Sequence, residues 1–348
     1  MPKVLVVATS RKTHGGITSV IKAYENNALW EKYHCRWIET HRDGSLFIKL
    51  TYLVKGFMEY IMFLPFYDIV HLHTSEPPSA FRKSVFFMPL AKMFRKKIIV
   101  HFHSFSVDTT IKSKFKTFYH FLFCHADYVL VLSKYWKDEI ERTFGCGGNV
   151  KVLYNPCTAE ISTKQYNVQK QILYAGTLNA RKGYKDLIKA FAKIAERHRD
   201  WSIVFAGNGE IEQAKSLAVS SGIGAQTLFL GWVRDDEKDK AFKECSIFCL
   251  PSYAEGFPMG VLDAWAYGKL VITTPVGGIP DVAVNNKNCL LFESGDVDML
   301  AAAMENLISN EKLKKDLEKE SAILSKRFSI NTISVSYTHL TLPTTPYV

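Results

Sequence analysis

The chain has 348 residues, 47% of them hydrophobic and 22% charged, with a formal net charge of +10. That hydrophobic share excludes wholesale disorder, and the length is too great for one ordinary core and fits two domains. The charge is uneven: residues 1–166 hold 23 Lys and Arg against 13 Asp and Glu, while the remainder holds 21 of each.

Met1-Pro2-Lys3 runs directly into apolar Val4-Leu5-Val6-Val7, so a buried first strand and no signal peptide are expected. Strand patterns at 3–8, 35–39, 69–73, 98–103, 128–132 and 150–154 alternate with helical patterns at 17–26, 47–63, 82–94, 112–123 and 134–143. The longest apolar region, 46–67, is interrupted by Lys49, Lys55 and Glu59, which makes it a poor membrane span. Polar residues 162–170 read as a linker. Strand patterns then resume at 171–175, 201–206, 227–230, 247–250, 270–273 and 289–292, with helical patterns at 183–198, 211–220, 236–244, 261–267 and 297–309. Such alternation predicts an α/β protein of two Rossmann-like, doubly wound parallel-sheet domains facing across a cleft, 1–165 and 166–334. Residues 335–348 continue no strand or helix pattern. They read as a non-native tail, which would leave the natural C-terminus truncated. Seven cysteines without paired spacing predict reduced thiols in the cytoplasm and no zinc framework.

Several segments carry chemistry. Thr13-His14-Gly15-Gly16-Ile17 follows the first strand and opens a helix. Between Glu76 and Asp108 there is no acid, while Arg82, Lys83, Lys92, Arg95, Lys96 and Lys97 alternate with Phe, Met and Leu. This segment, 82–97, reads as an anionic-membrane surface helix, or else as a core helix with a solvated basic face. No nucleic-acid recognition motif accompanies it. In Val100-His101-Phe102-His103-Ser104, alternation puts both histidines on one face, and His71 and His73 repeat the pattern. No carboxylate sits at ligand spacing among the four, so no metal is expected. Gly176 to Gly183 joins a strand to a helix and places Arg181 and Lys182 at the helix start, which suits a diphosphate. Gly207-Asn208-Gly209 lacks the third glycine of a dinucleotide fingerprint. Asp296-Val297-Asp298 precedes a helical run and is better explained by capping than by metal ligation.

Residues 251–280, PSYAEGFPMGVLDAWAYGKLVITTPVGGIP, place a lone acid, Glu255, before a glycine and a helix start, with Asp263 in that helix. Backbone N–H groups at a helix start bind anions, and a carboxylate at a crevice mouth accepts sugar hydroxyls. This run resembles the donor-binding segment of retaining glycosyltransferases of family 4, which have the GT-B fold. That family has Glu, seven residues, then Glu; this chain has Glu255 and then Asp263. The resemblance implies transfer of a sugar from a nucleoside diphosphate sugar, UDP- or GDP-linked, to an acceptor hydroxyl without metal. It assigns catalytic roles to His103, Lys182 and Glu255. Donor binding falls to Gly15, Gly16, Arg181, Gly207, Val233, Gly256, Phe257, Pro258, Met259, Gly260, Val261 and Asp263. Lys182 matches the family lysine, whereas Thr177 stands where an arginine is usual. The basic first half suggests a glycan or polyprenyl-diphosphate-linked acceptor at the inner membrane, in capsule, exopolysaccharide or lipopolysaccharide assembly. The rival readings are a nucleotide-sugar epimerase on the same fold and a non-catalytic GT-B subunit.

Overall fold

The structure is a computed structural model and describes residues 1–159 and 167–341. The chain divides into two compact units: Met1–Thr158 together with the chain from Ile330 onward, and Ala159–Ser329. Most of the expected linker, and the tail beyond residue 341, lie outside the described residues.

The first unit runs β1 (Val4–Ala8), α1 (Gly16–Glu25), α2 (Ala28–Lys32), β2 (Arg36–Glu39), α3 (Leu46–Phe63), β3 (Ile69–Thr74), α4 (Pro77–Arg82), α5 (Met88–Met93), β4 (Lys97–Phe102), α6 (Lys116–His125), β5 (Tyr128–Val131), α7 (Lys134–Phe144) and β6 (Val150–Val152). All strand pairs are parallel, in the order β2-β1-β3-β4-β5-β6. β1 and β3 are buried along their whole length, which is why they read as unbroken apolar runs. Ser45 and Ser133 cap α3 and α7 by accepting from Ile48 and Trp136 N–H. Phe102 meets Tyr119, Phe123 and Trp136 edge-on in the core.

Two expectations are corrected here. Segment 82–97 is not one basic-faced helix. A π-helical turn, Lys83–Phe87, joins α4 to α5 and turns Lys83 into the core at 2% exposure, its Nζ 3.0 Å from Thr40 Oγ1. Lys97 already belongs to β4. The cysteines are not all reduced either. Cys124 and Cys146, 22 residues apart, form a disulfide, because α6 and the turn after α7 bring their Cα atoms to 5.2 Å. Cys35, Cys245, Cys249 and Cys289 are free thiols.

The second unit runs β7 (Gln171–Ala175), α8 (Tyr184–Ala192), β8 (Ser202–Ala206), α9 (Ile211–Ser220), β9 (Thr227–Gly231), α10 (Asp235–Glu244), β10 (Ile247–Leu250), α11 (Met259–Ala266), β11 (Leu270–Thr273), β12 (Leu290–Leu291), α12 (Val297–Ser309) and α13 (Glu311–Ser325). Its sheet is again parallel, in the order β12-β11-β10-β7-β8-β9. Asp296 caps α12 by accepting from Met299 N–H at 2.8 Å, and Asp298 pairs with Lys193. Both units are Rossmann-like, each a six-stranded parallel sheet with its own helices.

A last helix, α14 (Ile330–Thr341), belongs to the first unit and overturns the reading of 335–341 as patternless. Ile333 and Tyr337, one turn apart, are buried, and Tyr337 Oη lies 3.1 Å from His71 Nδ1.

Candidate active site

In an open parallel sheet, ligands bind outside the carboxyl ends of the strands where the strand order reverses. In the second unit that point lies between β7 and its neighbour β10. The loop after β7 carries Arg181 and Lys182; the loop after β10 carries Glu255. Lys182 Nζ lies 2.5 Å from Glu255 Oε1, and Arg181 Nη1 lies 3.8 Å from the same oxygen. Glu255 is 7% exposed, so this is a nearly buried acid facing two cations.

The backbone fixes that acid from several sides. Arg181 Nη1 donates to the Ala254 carbonyl at 2.6 Å, and Tyr253 N–H donates to the Arg181 carbonyl at 2.8 Å. Gly278 N–H donates to the Gly256 carbonyl at 2.7 Å. Gly183, at φ +67°, packs where a Cβ would run into the Pro251 carbonyl. Gly277, at φ +60°, does the same against the Glu255 carbonyl. Gly207 is also required by packing, against the Gly176 carbonyl. Burial, then the charge of Glu255, pushes the Tyr174 phenol well above its ordinary range, so it stays protonated and donates to the Thr177 carbonyl at 2.9 Å.

α11 starts just beyond, with Pro258 at its N-cap and no side-chain cap. Its first N–H groups, from Met259 and Gly260, belong to half-buried residues. The rings and branches of Phe257 and Val261 are buried, Phe257 against Phe328 at 5.7 Å, so these two support the loop from inside. Asp263 is 1% exposed; its Oδ2 lies 2.6 Å from Lys238 Nζ and its Oδ1 accepts from Ala159 N–H at 3.3 Å. Lys238, on α10, was not legible as a site residue: it sits in the run DDEKDK, 25 residues from its partner. Val233 is half-buried in the loop after β9.

The first unit gathers the other predicted residues. β3 and β4 pair His73 with His101, and His71, His73, His101 and His103 form one stack with ring centroids 4.1–5.6 Å apart. His73 Nδ1 and His103 Nε2 are 2.9 Å apart, so one donates to the other. Both ring nitrogens of His101 and Nε2 of His71 are buried without a hydrogen-bond partner. Burial pushes His71 and His103 down to about 3, with His103 adding to the shift of His71; His73 and His101 are pushed well below the ordinary range. All four rings are therefore neutral at pH 7. Nitrogens of His71, His73 and His101 come within 4.8 Å of one another, the one such group of three among the described residues that could hold a metal. Of their three ring pairs His71 with His101 is stacked and the other two are tilted. Gly15, at φ +149°, caps α1, and a Cβ on Gly15 or Gly16 would meet nothing within 4 Å, which leaves that helix start open.

Two family profiles match in tandem: Glycosyltransferase Family 4 over residues 43–160 and Glycosyl transferases group 1 over residues 160–322. The chain belongs to the GT-B glycosyltransferases of this type. An uncharacterized glycosyltransferase of Haemophilus influenzae is 28% identical over 188 residues, 53% of this chain and 53% of its own. The Campylobacter jejuni GalNAc-alpha-(1->4)-GalNAc-alpha-(1->3)-diNAcBac-PP-undecaprenol alpha-1,4-N-acetyl-D-galactosaminyltransferase is 28% identical over 197 residues, 55% of this chain and 54% of its own. The chain thus matches about half the length of these relatives. The crystal structure of Anabaena HepE in complex with UDP and glucose has a TM-score of 0.76 at 18% identity, covering 97% of this glycosyltransferase and 99% of that chain. At that identity the likeness shows the fold.

Proposed function

We propose that this glycosyltransferase moves a sugar from a UDP- or GDP-linked donor to an acceptor hydroxyl with retention of configuration and without a metal. The observation that carries this reading is Lys182 on Glu255 at the β7–β10 switch point. As the donor bond breaks, negative charge grows on the leaving diphosphate. Lys182, Arg181 and the first N–H groups of α11 are placed to hold that charge. Glu255 accepts hydrogen bonds from donor-sugar hydroxyls, and Asp263 from the ribose. Because Glu255 is already engaged by a cation, it is a poor nucleophile for double displacement. Front-face attack, assisted by the departing phosphate, fits better. His103 is assigned to the reacting sugar by the family resemblance. Its neutral ring suits hydrogen bonding to a hydroxyl and not acid catalysis.

The acceptor we propose is a polyprenyl-diphosphate-linked glycan at the cytoplasmic face of an anionic membrane, in capsule, exopolysaccharide or lipopolysaccharide assembly. The excess of Lys and Arg in the first half supports this, as does the likeness to the Campylobacter transferase named for a PP-undecaprenol-linked glycan. Within 82–97, Lys92 and Arg95 remain exposed to meet such a surface.

The test is a screen of UDP- and GDP-sugars by mass spectrometry, with membrane extract as acceptor and EDTA present. Release of nucleoside diphosphate that depends on the extract, with a sugar-sized mass gain on a lipid-linked species, is the expected result. Free sugar released without acceptor would favour an epimerase, and no turnover of any donor would favour a non-catalytic subunit.

A further inference from the structure

α3 is apolar on both sides. Its inner side is committed: Tyr60 is buried, Leu53 and Phe57 pack on the core, and Gly56 lies so close to the Glu39 carbonyl that a Cβ would overlap it. Its outer side is committed to nothing. Phe47, Leu50, Val54, Met58, Ile61 and Met62 recur at helical spacing and are 79%, 56%, 55%, 62%, 44% and 63% exposed. Phe66, in the turn that follows, is 68% exposed. A contiguous apolar stripe of this length on one helix is a mark of an interaction surface.

Charge selects the occupant. Lys55 borders the stripe on α3 itself, Lys49 lies on the opposite side with Gly56 and Tyr60, near His41, and Glu59 is the helix's one acid. At the far end, Lys96 Nζ donates to the Pro65 carbonyl at 3.1 Å, which brings the exposed Lys92, Met93 and Arg95 beside the stripe. Apolar side chains bordered by cations suit an anionic lipid surface. They suit a second copy of this chain poorly, since the same cations would meet across a two-fold axis. A face about 27 Å long and about 10 Å wide also falls short of the roughly 800 Å² per partner of a stable protein interface. No described helix is long and apolar enough to cross a membrane.

We infer that the outer face of α3 lies on an anionic membrane, with Phe47 to Met62 in the headgroup boundary and the flanking cations among the headgroups. This deepens the lipid-linked acceptor reading by naming the surface, and its test separates the two. The full chain is floated with vesicles of phosphatidylcholine alone or with added phosphatidylglycerol. Donor turnover with a soluble acceptor is measured in parallel. Wild type should float with the anionic vesicles. Leu50→Glu/Val54→Glu/Met58→Glu should lower binding by about tenfold or more, with turnover retained as proof of folding. Lys55→Gln, which leaves the apolar stripe intact, should lower it by up to about fivefold.

Wild type that ignores anionic vesicles while turning over donor overturns the surface and leaves the transferase reading standing. Vesicle binding equal in wild type and the glutamate variant also overturns it. So does a wild-type dimer by light scattering that becomes monomeric in the glutamate variant without any vesicle binding. Vesicle binding lost on substitution, in a chain that turns over no donor but whose variant keeps the wild-type circular dichroism spectrum, supports the surface and defeats the transferase reading.

Discussion

On β3 and β4 of the first unit, four imidazoles face one another with no carboxylate among them. At the carboxyl ends of β7 and β10 in the second, Glu255 has Lys182, and nearby Asp263 has Lys238. Both units build a six-stranded parallel sheet, so the contrast is not one of architecture. It is a contrast in how polar groups survive burial. A buried ring that stays neutral costs only its unmade hydrogen bonds, whereas a buried carboxylate requires a cation. The first unit disfavours charge in its interior, driving two of the histidines to about 3 and Lys83 to about 7. The second pairs Glu255 with Lys182 and Asp263 with Lys238. The proposed diphosphate site would need cations in place beforehand, and the acids would hold them there. Neutral rings suit uncharged hydroxyls instead.

The largest effect is expected where the second unit's pairing is removed. Glu255→Gln keeps the shape and deletes the charge, so Lys182 loses its partner and the donor hydroxyls lose a charged acceptor. At about 1.5–3 kcal/mol for each charge-assisted hydrogen bond, two such bonds correspond to a loss in kcat/KM of about 100-fold or more. Steady-state turnover of one donor measures it, with circular dichroism confirming the fold. Wild-type kcat/KM in this variant would mean that the Lys182–Glu255 pair is structural only.

Acid should separate the two units next. Each first-unit histidine binds a proton near pH 6.5 when unfolded, but His71 and His103 bind one only near 3 when folded. Across that window the unfolded chain holds more protons, so stability falls as pH falls from 6.5 toward 3. The slope is up to about 1.4 kcal/mol per pH unit for each such ring. Hydrogen exchange at pH 7 and pH 5, corrected for intrinsic rates, should show β3 and β4 losing protection before β7 and β10. Equal losses in both sheets would refute the neutral-interior account.

The contrast was partly legible in the sequence. Strands such as Val4–Ala8 and Ile247–Leu250 are buried on both faces, so their apolar runs stand out; Glu255, Lys182 and His103 were each named from strand ends. What no local pattern gives is contact. Lys182 and Glu255 are 73 residues apart and meet because β10 lies beside β7, a strand order that sequence adjacency does not supply. α14 was missed because its buried side is defined by Tyr24 and His71, both far away in the chain. α13 was missed because its apolar residues are sparse among Lys and Glu. Lys83 counted as a surface charge because only the π-helical turn rotates it inward. The Cys124–Cys146 pair follows from the approach of two elements and from nothing in the spacing.

Lys83 sharpens the comparison from the stabilising direction. Burial first, then Arg82, lowers its ammonium from 10.5 to about 7. Between those values the unfolded chain binds the extra proton, so this lysine makes stability rise with pH. Lys83→Met should therefore stabilise the first unit at pH 7, by roughly 1–4 kcal/mol. The gain should shrink toward zero above pH 10.5. Thr40 Oγ1 keeps its bond to the Ala8 carbonyl and is not stranded. Urea denaturation at pH 7 and at about pH 11 reads both values; a destabilised variant at pH 7 would show that the lysine is held there by a favourable interaction.

The smallest effect tests whether pairing or burial makes the second unit's charges matter. Asp298 is paired with Lys193, as Glu255 is with Lys182, but its side chain is 83% exposed. Water screens such a pair, and exposed pairs contribute about 0–1 kcal/mol. Asp298→Ala should therefore change stability by less than about 1 kcal/mol and leave donor turnover unchanged, with or without EDTA. The α12 cap is untouched, because it is Asp296 that accepts from Met299 N–H. If Asp298→Ala instead abolished turnover, and EDTA abolished that of wild type reversibly, Asp296-Val297-Asp298 would be a metal-binding sequence. The second unit would then handle its diphosphate through a cation held by exposed acids, and the contrast with the first unit would rest on metal ligation instead of buried ion pairs.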